Sequence, residues 1–175
     1  MSITTKTGDS GETGLLFSKR IQKCHPRIVA CGDVDEVNAA VGVAKAHLQG
    51  TYHTRLETIQ NVLIALMGEL ATLPTDEKKY QSSKFDKLTE ENVKQLEGWI
   101  DEIESHKLTI KGWALPGETI ASSYLDFARS VCRRAERSVV SLNSSKSRCI
   151  VYLNRLSDLL WLMARSVEQG QLSHE

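Results

Sequence analysis

The sequence predicts an all-α fold, a five-helix bundle preceded by an ordered Gly/Thr-rich loop. Three observations support this. After the opening loop, apolar residues recur at steps of three and four, the period of a helix with one buried face. Proline, glycine and polar clusters cut that period into five stretches. Alternating runs of β-branched and aromatic residues, the mark of strands, are nearly absent. The 175 residues suit a single domain spanning 1–175, large enough to bury a core without disulfides.

Val34, Val37, Val41, Ala44 and Leu48 set a first helix over about 27–49. Leu56, Ile59, Leu63, Leu66, Leu70 and Leu73 set a second over about 52–73, which Pro74 is expected to stop. The polar stretch 75–87 has no period and reads as an exposed connection. Thr89 reads as the N-cap of a third helix carrying Val93, Leu96, Ile100 and Ile103. "KGWALPGE" (111–118) breaks the pattern with two glycines and a proline. A fourth helix over about 118–142 carries Ile120, Tyr124, Phe127, Val131, Ala135 and Val139 at helical spacing. "NSSKS" (143–147) reads as a turn before a fifth helix over about 148–169, with Gly170 as its C′ stop.

Lysine plus arginine and aspartate plus glutamate are both 22, which argues against non-specific nucleic-acid binding as the main task. No apolar run reaches membrane-spanning length, and Met1-Ser2-Ile3-Thr4 lacks the features of a leader, so the expected location is cytoplasmic, with no membrane partner. Cys24, Cys31, Cys132 and Cys149 have no metal-ligand spacing and read as free thiols. The five histidines make no metal pattern, and no Ser-His-Asp or Cys-His arrangement can be assembled.

Two features ask for an anion. "TKTGDSGETG" (5–14) offers amides at Gly8, Gly11 and Gly14, hydroxyls at Thr5, Thr7 and Thr13, and ammonium groups at Lys6 and, further on, Lys23. Successive amides in such turns form anion-binding nests, although the Walker A pattern is absent. A plain flexible N-terminus fits the same residues. The second feature is Arg129, Arg133 and Arg137 at i, i+4 and i+8, with Arg134 beside them. Like charges on one helix face repel, and guanidinium groups grip phosphate in pairs of hydrogen bonds. A salt-bridged bundle face is the other reading of this stripe.

"CGDVDEVN" places Asp33, Asp35 and Glu36 near the start of the first helix, where Asp33 and Glu36 read as complements to the helix dipole. Asp35 is a candidate partner for Arg129, within the chain or between subunits. Asn154, four residues before Asp158 on a mostly apolar helix, reads either as a satisfied core amide or as a reader of base, ribose or phosphate.

"TKTGDSGETGLL", "GDVDEVNAAVG", "WALPGE", "ARSVCRRAER" and "YLNRLSDLLWLMAR" stand in the order and approximate spacing of one family. The chain resembles the PduO-type ATP:cob(I)alamin adenosyltransferases (corrinoid adenosyltransferases) over nearly its whole length. The resemblance implies a homotrimer with sites between subunits, and transfer of the 5′-deoxyadenosyl group of ATP to cob(I)alamin. It implies ATP contacts at Thr5, Lys6, Thr7, Gly8, Thr13, Gly14, Lys23, Arg133, Arg134, Ala135, Glu136, Arg137 and Asn154. It gives catalytic roles to Arg133, to the Asp35–Arg129 pair as an intersubunit salt bridge, and to Trp113 below the corrin ring. Mg²⁺ is expected through the ATP phosphates, with Glu136 the one protein group considered for it. A reductase and an adenosylcobalamin-dependent enzyme are the implied protein partners. The departures are Trp113 where the family usually has phenylalanine, "LPGE" where L-P-G-G is common, and an end at Glu175 where many members continue over the cobalamin. Two other readings fit the same sequence: a carrier or sensor of ATP or corrinoid without turnover, and a helical assembly module.

Overall fold

A computed structural model of the chain describes residues 4, 6–109, 112–142 and 147–170. Among these, six α-helices and a two-stranded sheet are formed. The helices are α1 (Pro26–Ala46), α2 (Gly50–Leu70), α3 (Glu77–Gln81), α4 (Glu90–Ser105), α5 (Ile120–Val140) and α6 (Ser147–Glu168). The five long ones match the five expected. The sheet corrects the purely helical expectation, and the short α3, inside the connection read as having no period, makes six helices among the described residues where five were expected.

The sheet lies in the opening loop. β1 (Glu12–Gly14) pairs antiparallel with β2 (Arg20–Gln22), with Thr13 opposite Ile21. Between them Phe17 and Ser18 both take φ of 60°, the left-handed region that lets the chain reverse in few residues. Three-residue strands are too short for an alternating pattern to be legible.

Helix starts follow local chemistry. His25 Nδ1 accepts from the Arg27 amide at 3.0 Å and Pro26 occupies the first turn of α1. Thr89 caps α4 as expected, in a reciprocal box with Asn92, and Thr119 caps α5 in the same way with Ser122. Gly170, at φ 64°, follows α6 and donates its amide to the Val167 carbonyl.

The end of α2 is tertiary. The helix stops at Leu70, before Pro74, and the proline opens a 3₁₀ turn instead. The buried Arg27 guanidinium takes the Leu70 and Thr72 carbonyls at 2.7 and 3.1 Å, while the Leu16 amide takes that of Ala71 at 3.2 Å. These partners satisfy carbonyls a helix end leaves bare. The connection that follows is not exposed throughout: Tyr80 is fully buried, and its hydroxyl donates to the Asp86 carbonyl at 2.9 Å.

α1 packs between α2 and α5, and α6 between α5 and α4. Cross-contacts give the directions. Ser138 meets Asp33 and His47 stacks on Tyr124, so α1 and α5 run antiparallel. Asp126 meets Arg165 and Asn154 meets Glu136, so α5 and α6 do too. Val34, Leu56, Leu63, Leu125, Leu156 and Leu160 have no exposed surface and centre the core. No single helix among the described residues is long and apolar enough to cross a membrane.

Candidate functional site

The arginine stripe of α5 divides into unequal parts. Arg134 is tied to α1: its Nε lies 3.6 Å from Asp33 Oδ1, and its Nη2 donates to Glu36. The Glu36 hydrogen bond raises the Arg134 pKa above its ordinary value. Ser138 donates to the second oxygen of Asp33. Because α1 begins at Pro26, Asp33 and Glu36 lie beyond its first turn. They serve as counter-charges to Arg134, which corrects the helix-dipole assignment.

Arg133 and Arg137 point elsewhere. Both are exposed, and Arg137 Nη1 donates to the Arg133 carbonyl at 3.0 Å. Among the described residues no carboxylate pairs with either guanidinium. Two uncompensated guanidinium groups one turn apart form a locus for a polyanion.

Glu136 and Asn154 complete this face. Asn154 Nδ2 donates to Glu136 Oε1 at 3.3 Å, and Asn154 Oδ1 accepts from Arg155 Nη1 at 2.8 Å. Ala135 is fully buried at the crossing, where its small side chain suits a close approach of α5 and α6. Beneath it the Cys132 thiol donates to the Leu153 carbonyl at 3.2 Å. Burial pushes that thiol's pKa up, so it is not available as a thiolate nucleophile.

The opening loop is a structured hairpin. The Lys23 amide donates to the Gly11 carbonyl at 2.9 Å, and Arg20 Nη2 donates to the Thr7 carbonyl at 2.7 Å. Gly11 lies at φ 84°, and its amide is taken by the Gly8 carbonyl at 3.2 Å. That amide therefore closes the turn, which corrects its assignment to an open nest. The Lys23 ammonium crosses above Gly8; a Cβ at Gly8 would stand 3.1 Å from Nζ. Lys6 sits at φ 57° at the head of the turn, Thr13 lies within β1, and Gly14 closes that strand with open space on its Cα face. Thr5 lies outside the described residues.

Loop and stripe share one end of the bundle without touching through any hydrogen bond or ion pair described. The hairpin is anchored instead to Ala71 and to the 74–88 connection, where Phe17 meets Phe85 and lies beneath the Lys79 ammonium. Asp35 is exposed and does not pair with Arg129 within the chain; Arg129 Nε is held by Asp126 Oδ1 at 3.3 Å. Trp113, near the opposite end of α5, is 94% exposed and stands with the exposed Leu115 and Ile120.

A family model for cobalamin adenosyltransferase matches residues 3–167, nearly the entire chain. The chain belongs to the cobalamin adenosyltransferase family. It is 39% identical over 173 residues to the corrinoid adenosyltransferase PduO of Citrobacter freundii, covering 95% of this chain and 50% of that protein. It is 40% identical over 175 residues to the corrinoid adenosyltransferase of Bacillus subtilis, covering 95% and 86% of the two. The chain thus spans about half the length of the PduO relatives from Citrobacter freundii and Salmonella typhimurium. Among solved structures, a phenylalanine variant of the PduO-type ATP:corrinoid adenosyltransferase of Lactobacillus reuteri, complexed with cobalamin and ATP, superposes with a TM-score of 0.85 at 34% identity. That match covers 97% of this chain and 95% of the other. An arginine-to-lysine variant of the Lactobacillus reuteri enzyme, complexed with ATP, gives 0.85 at 32% identity, covering 97% and 96% of the two chains.

In this family member a groove of about 570 Å³ lies between α4 and α6. Glu97, Asp101, Glu104 and Asp158 line it, with Arg155 already paired to Glu97 at 3.1 Å. Such an acidic lining repels a polyphosphate. Among the described residues no three His, Cys, Asp or Glu side chains gather as a metal site. Glu136, its Oε1 accepting from Asn154, offers one carboxylate, which suits an Mg²⁺ carried mainly by phosphates and water.

Asp126, three residues before Arg129, is legible in the sequence as a local counter-charge to the stripe. Sequence reasoning missed Arg165, which lies 39 residues beyond Asp126 and meets it only through packing.

Proposed function

We propose that this chain transfers the 5′-deoxyadenosyl group of ATP to cob(I)alamin, giving adenosylcobalamin and triphosphate. The observation that carries the reading is the face of α5 and α6 where Arg133 and Arg137 lack counter-charges beside the Glu136–Asn154 contact, in a chain of this family. The relatives whose structures hold cobalamin and ATP support both substrates.

The chemistry asks little covalent work of the protein. Cobalt(I) is the nucleophile: its electron pair forms the Co–C5′ bond as the C5′–O bond breaks, and triphosphate leaves with the electron pair of the broken C5′–O bond. The protein positions the two substrates and manages charge. Arg133, Arg137, Lys23 and Lys6 stabilise the negative charge that grows on the triphosphate, together with Mg²⁺ bound through the phosphates. Thr7, Gly8, Thr13 and Gly14 wall the cradle. Glu136 and Asn154 hold the nucleoside side, with Ala135 allowing close approach and Arg134 fixing the turn against α1. Trp113 excludes water beneath the corrin.

The site is shared between copies of the chain, in a homotrimer. α5 has 21 residues, about 30 Å of helix. The phosphate elements lie toward one end and Trp113 toward the other, so a neighbouring copy is needed to bring both against one ATP and one cobalamin. Asp35, exposed and without a described partner, pairs with Arg129 of a neighbouring copy in this reading. A cytoplasmic reductase supplies the electron that makes cob(I)alamin, and an adenosylcobalamin-dependent enzyme takes the product.

The deciding experiment is an anaerobic assay with ATP, Mg²⁺ and chemically reduced cobalamin, following loss of the Co(I) absorbance and identifying the product. ATP-dependent formation of adenosylcobalamin is expected. Thermal stabilisation by ATP without product would replace the enzyme with a carrier or sensor.

A further inference from the structure

Arg165 presents an energetic puzzle. It is 2% exposed on α6, donates to Asp126 Oδ2 at 2.5 Å and to Glu168 Oε1 at 2.9 Å, and lies 5.8 Å from the Trp161 ring centre. Its Nε and Nη1 are buried without a hydrogen-bond partner. Buried ion pairs are weak contributors to stability, because desolvation offsets their attraction, and bare buried N–H groups add further cost. Packing alone would be served as well by an apolar side chain at this position.

The geometry on the far side of Asp126 offers a reason. Asp126 is 4% exposed, and its two oxygens are divided: Oδ2 faces Arg165 across the α5–α6 interface, and Oδ1 accepts from Arg129 Nε at 3.3 Å. A carboxylate held at one oxygen cannot swing about its Cβ–Cγ bond. The oxygen offered to Arg129 is therefore fixed by a residue on another helix. Arg129 is held at Nε alone in the hydrogen bonds described, with its side chain 30% exposed, so both terminal amino groups remain to receive an acceptor from outside the chain. The charges balance: Arg129 and Arg165 against Asp126 and Glu168.

We propose that Asp126, locked by Arg165, is the positioning residue that aims Arg129 at the head of the arginine stripe. The proposal rests on the adenosyl-transfer reading for its effect on turnover, and on the geometry of this chain alone for its effect on Arg129. Neither Asp126 nor Arg165 touches a substrate in it; both act through Arg129.

The test is a double-mutant cycle of Asp126→Asn with Arg129→Ala on kcat and on KM for ATP, alongside solvent exchange of the Arg129 Nε proton by NMR without ligand. Asp126→Asn is expected to lower kcat by up to about 100-fold in the wild-type background, the scale of a misplaced active-site group, with little change in KM. It should have almost no further effect once Arg129 is alanine. The Arg129 Nε proton should exchange faster in Asp126→Asn. An equal loss of kcat in both backgrounds, or unchanged exchange, would overturn the proposal. Should Asp126→Asn fail to fold, Arg165→Lys replaces it in the same cycle, since lysine keeps the charge and loses the fork geometry. If the wild-type chain transfers no adenosyl group, the activity reading fails and the exchange measurement by itself decides whether Asp126 holds Arg129.

Discussion

Asn154 and Glu136 meet across α5 and α6, the amide Nδ2 3.3 Å from Oε1, while the other end of the same amide accepts from Arg155. One side chain thus orients a carboxylate on the arginine-rich turn from a neighbouring helix. Asn154→Ala leaves that carboxylate without its donor. Hydrogen bonds to charged groups are worth about 1.5–3 kcal/mol, so kcat/KM for ATP should fall by that scale while the melting temperature changes little. Wild-type kinetics in the anaerobic assay would remove the pair from the site.

Arg133 and Lys23 come from opposite ends of the chain, and the proposed mechanism sets both on the triphosphate. Both are exposed, and neither has an ion pair among the described contacts. Arg133→Ala and Lys23→Ala should each leave the helical circular dichroism intact and lower kcat by about 3–4 kcal/mol of transition-state stabilisation. Undiminished turnover in both variants would refute the polyphosphate assignment.

Arg27 is a structural counterpoint, since its guanidinium closes the end of α2 through the Leu70 and Thr72 carbonyls. Arg27→Ala strips two buried acceptors of their donor, each costing about 1–3 kcal/mol. Chemical denaturation should show a lower midpoint with an unchanged slope. A midpoint equal to wild type would mean that α2 ends for another reason.

Alkaline pH should weaken the fold. Burial raises the Cys31 thiol from 9.0 to about 11, against a smaller lowering by Arg27. Burial, aided by Glu69, raises the Tyr80 phenol from 10.0 to about 12. In the unfolded chain these groups ionise at their ordinary values, so above pH 9 the unfolded state holds fewer protons than the folded one. Stability is therefore fully present below pH 9 and is lost as pH rises from 9 through 11 for Cys31 and from 10 through 12 for Tyr80. Urea midpoints measured across that range should decline; a flat or rising series would contradict the burial of both groups.

Trp113, nearly bare to solvent, should report on corrin binding. Its emission should be quenched when cobalamin binds in the presence of ATP, and Trp113→Phe should abolish most of that change while preserving ATP binding. Equal quenching in the variant would place the corrin away from the 112–118 segment.

Five long helices, the cap at Thr89 and the arginine stripe follow from local rules: a period of three to four, a hydroxyl before an apolar run, and charges repeated on one face. The full set of candidate nucleotide residues rests on the family resemblance. The helices, the cap and the stripe depend on neighbours within one or two turns, which the sequence displays directly. The short hairpin, the burial of Tyr80, the stop at Leu70 and the division of the arginine stripe do not. Arg134 is neutralised by Asp33 and Glu36, about a hundred residues earlier, and Arg129 is held by an aspartate that Arg165 locks from another helix. Four similar arginines become one tied, one aimed and two open because hydrogen bonds depend on ångström-scale distances between helices, and only the packed tertiary structure sets those distances.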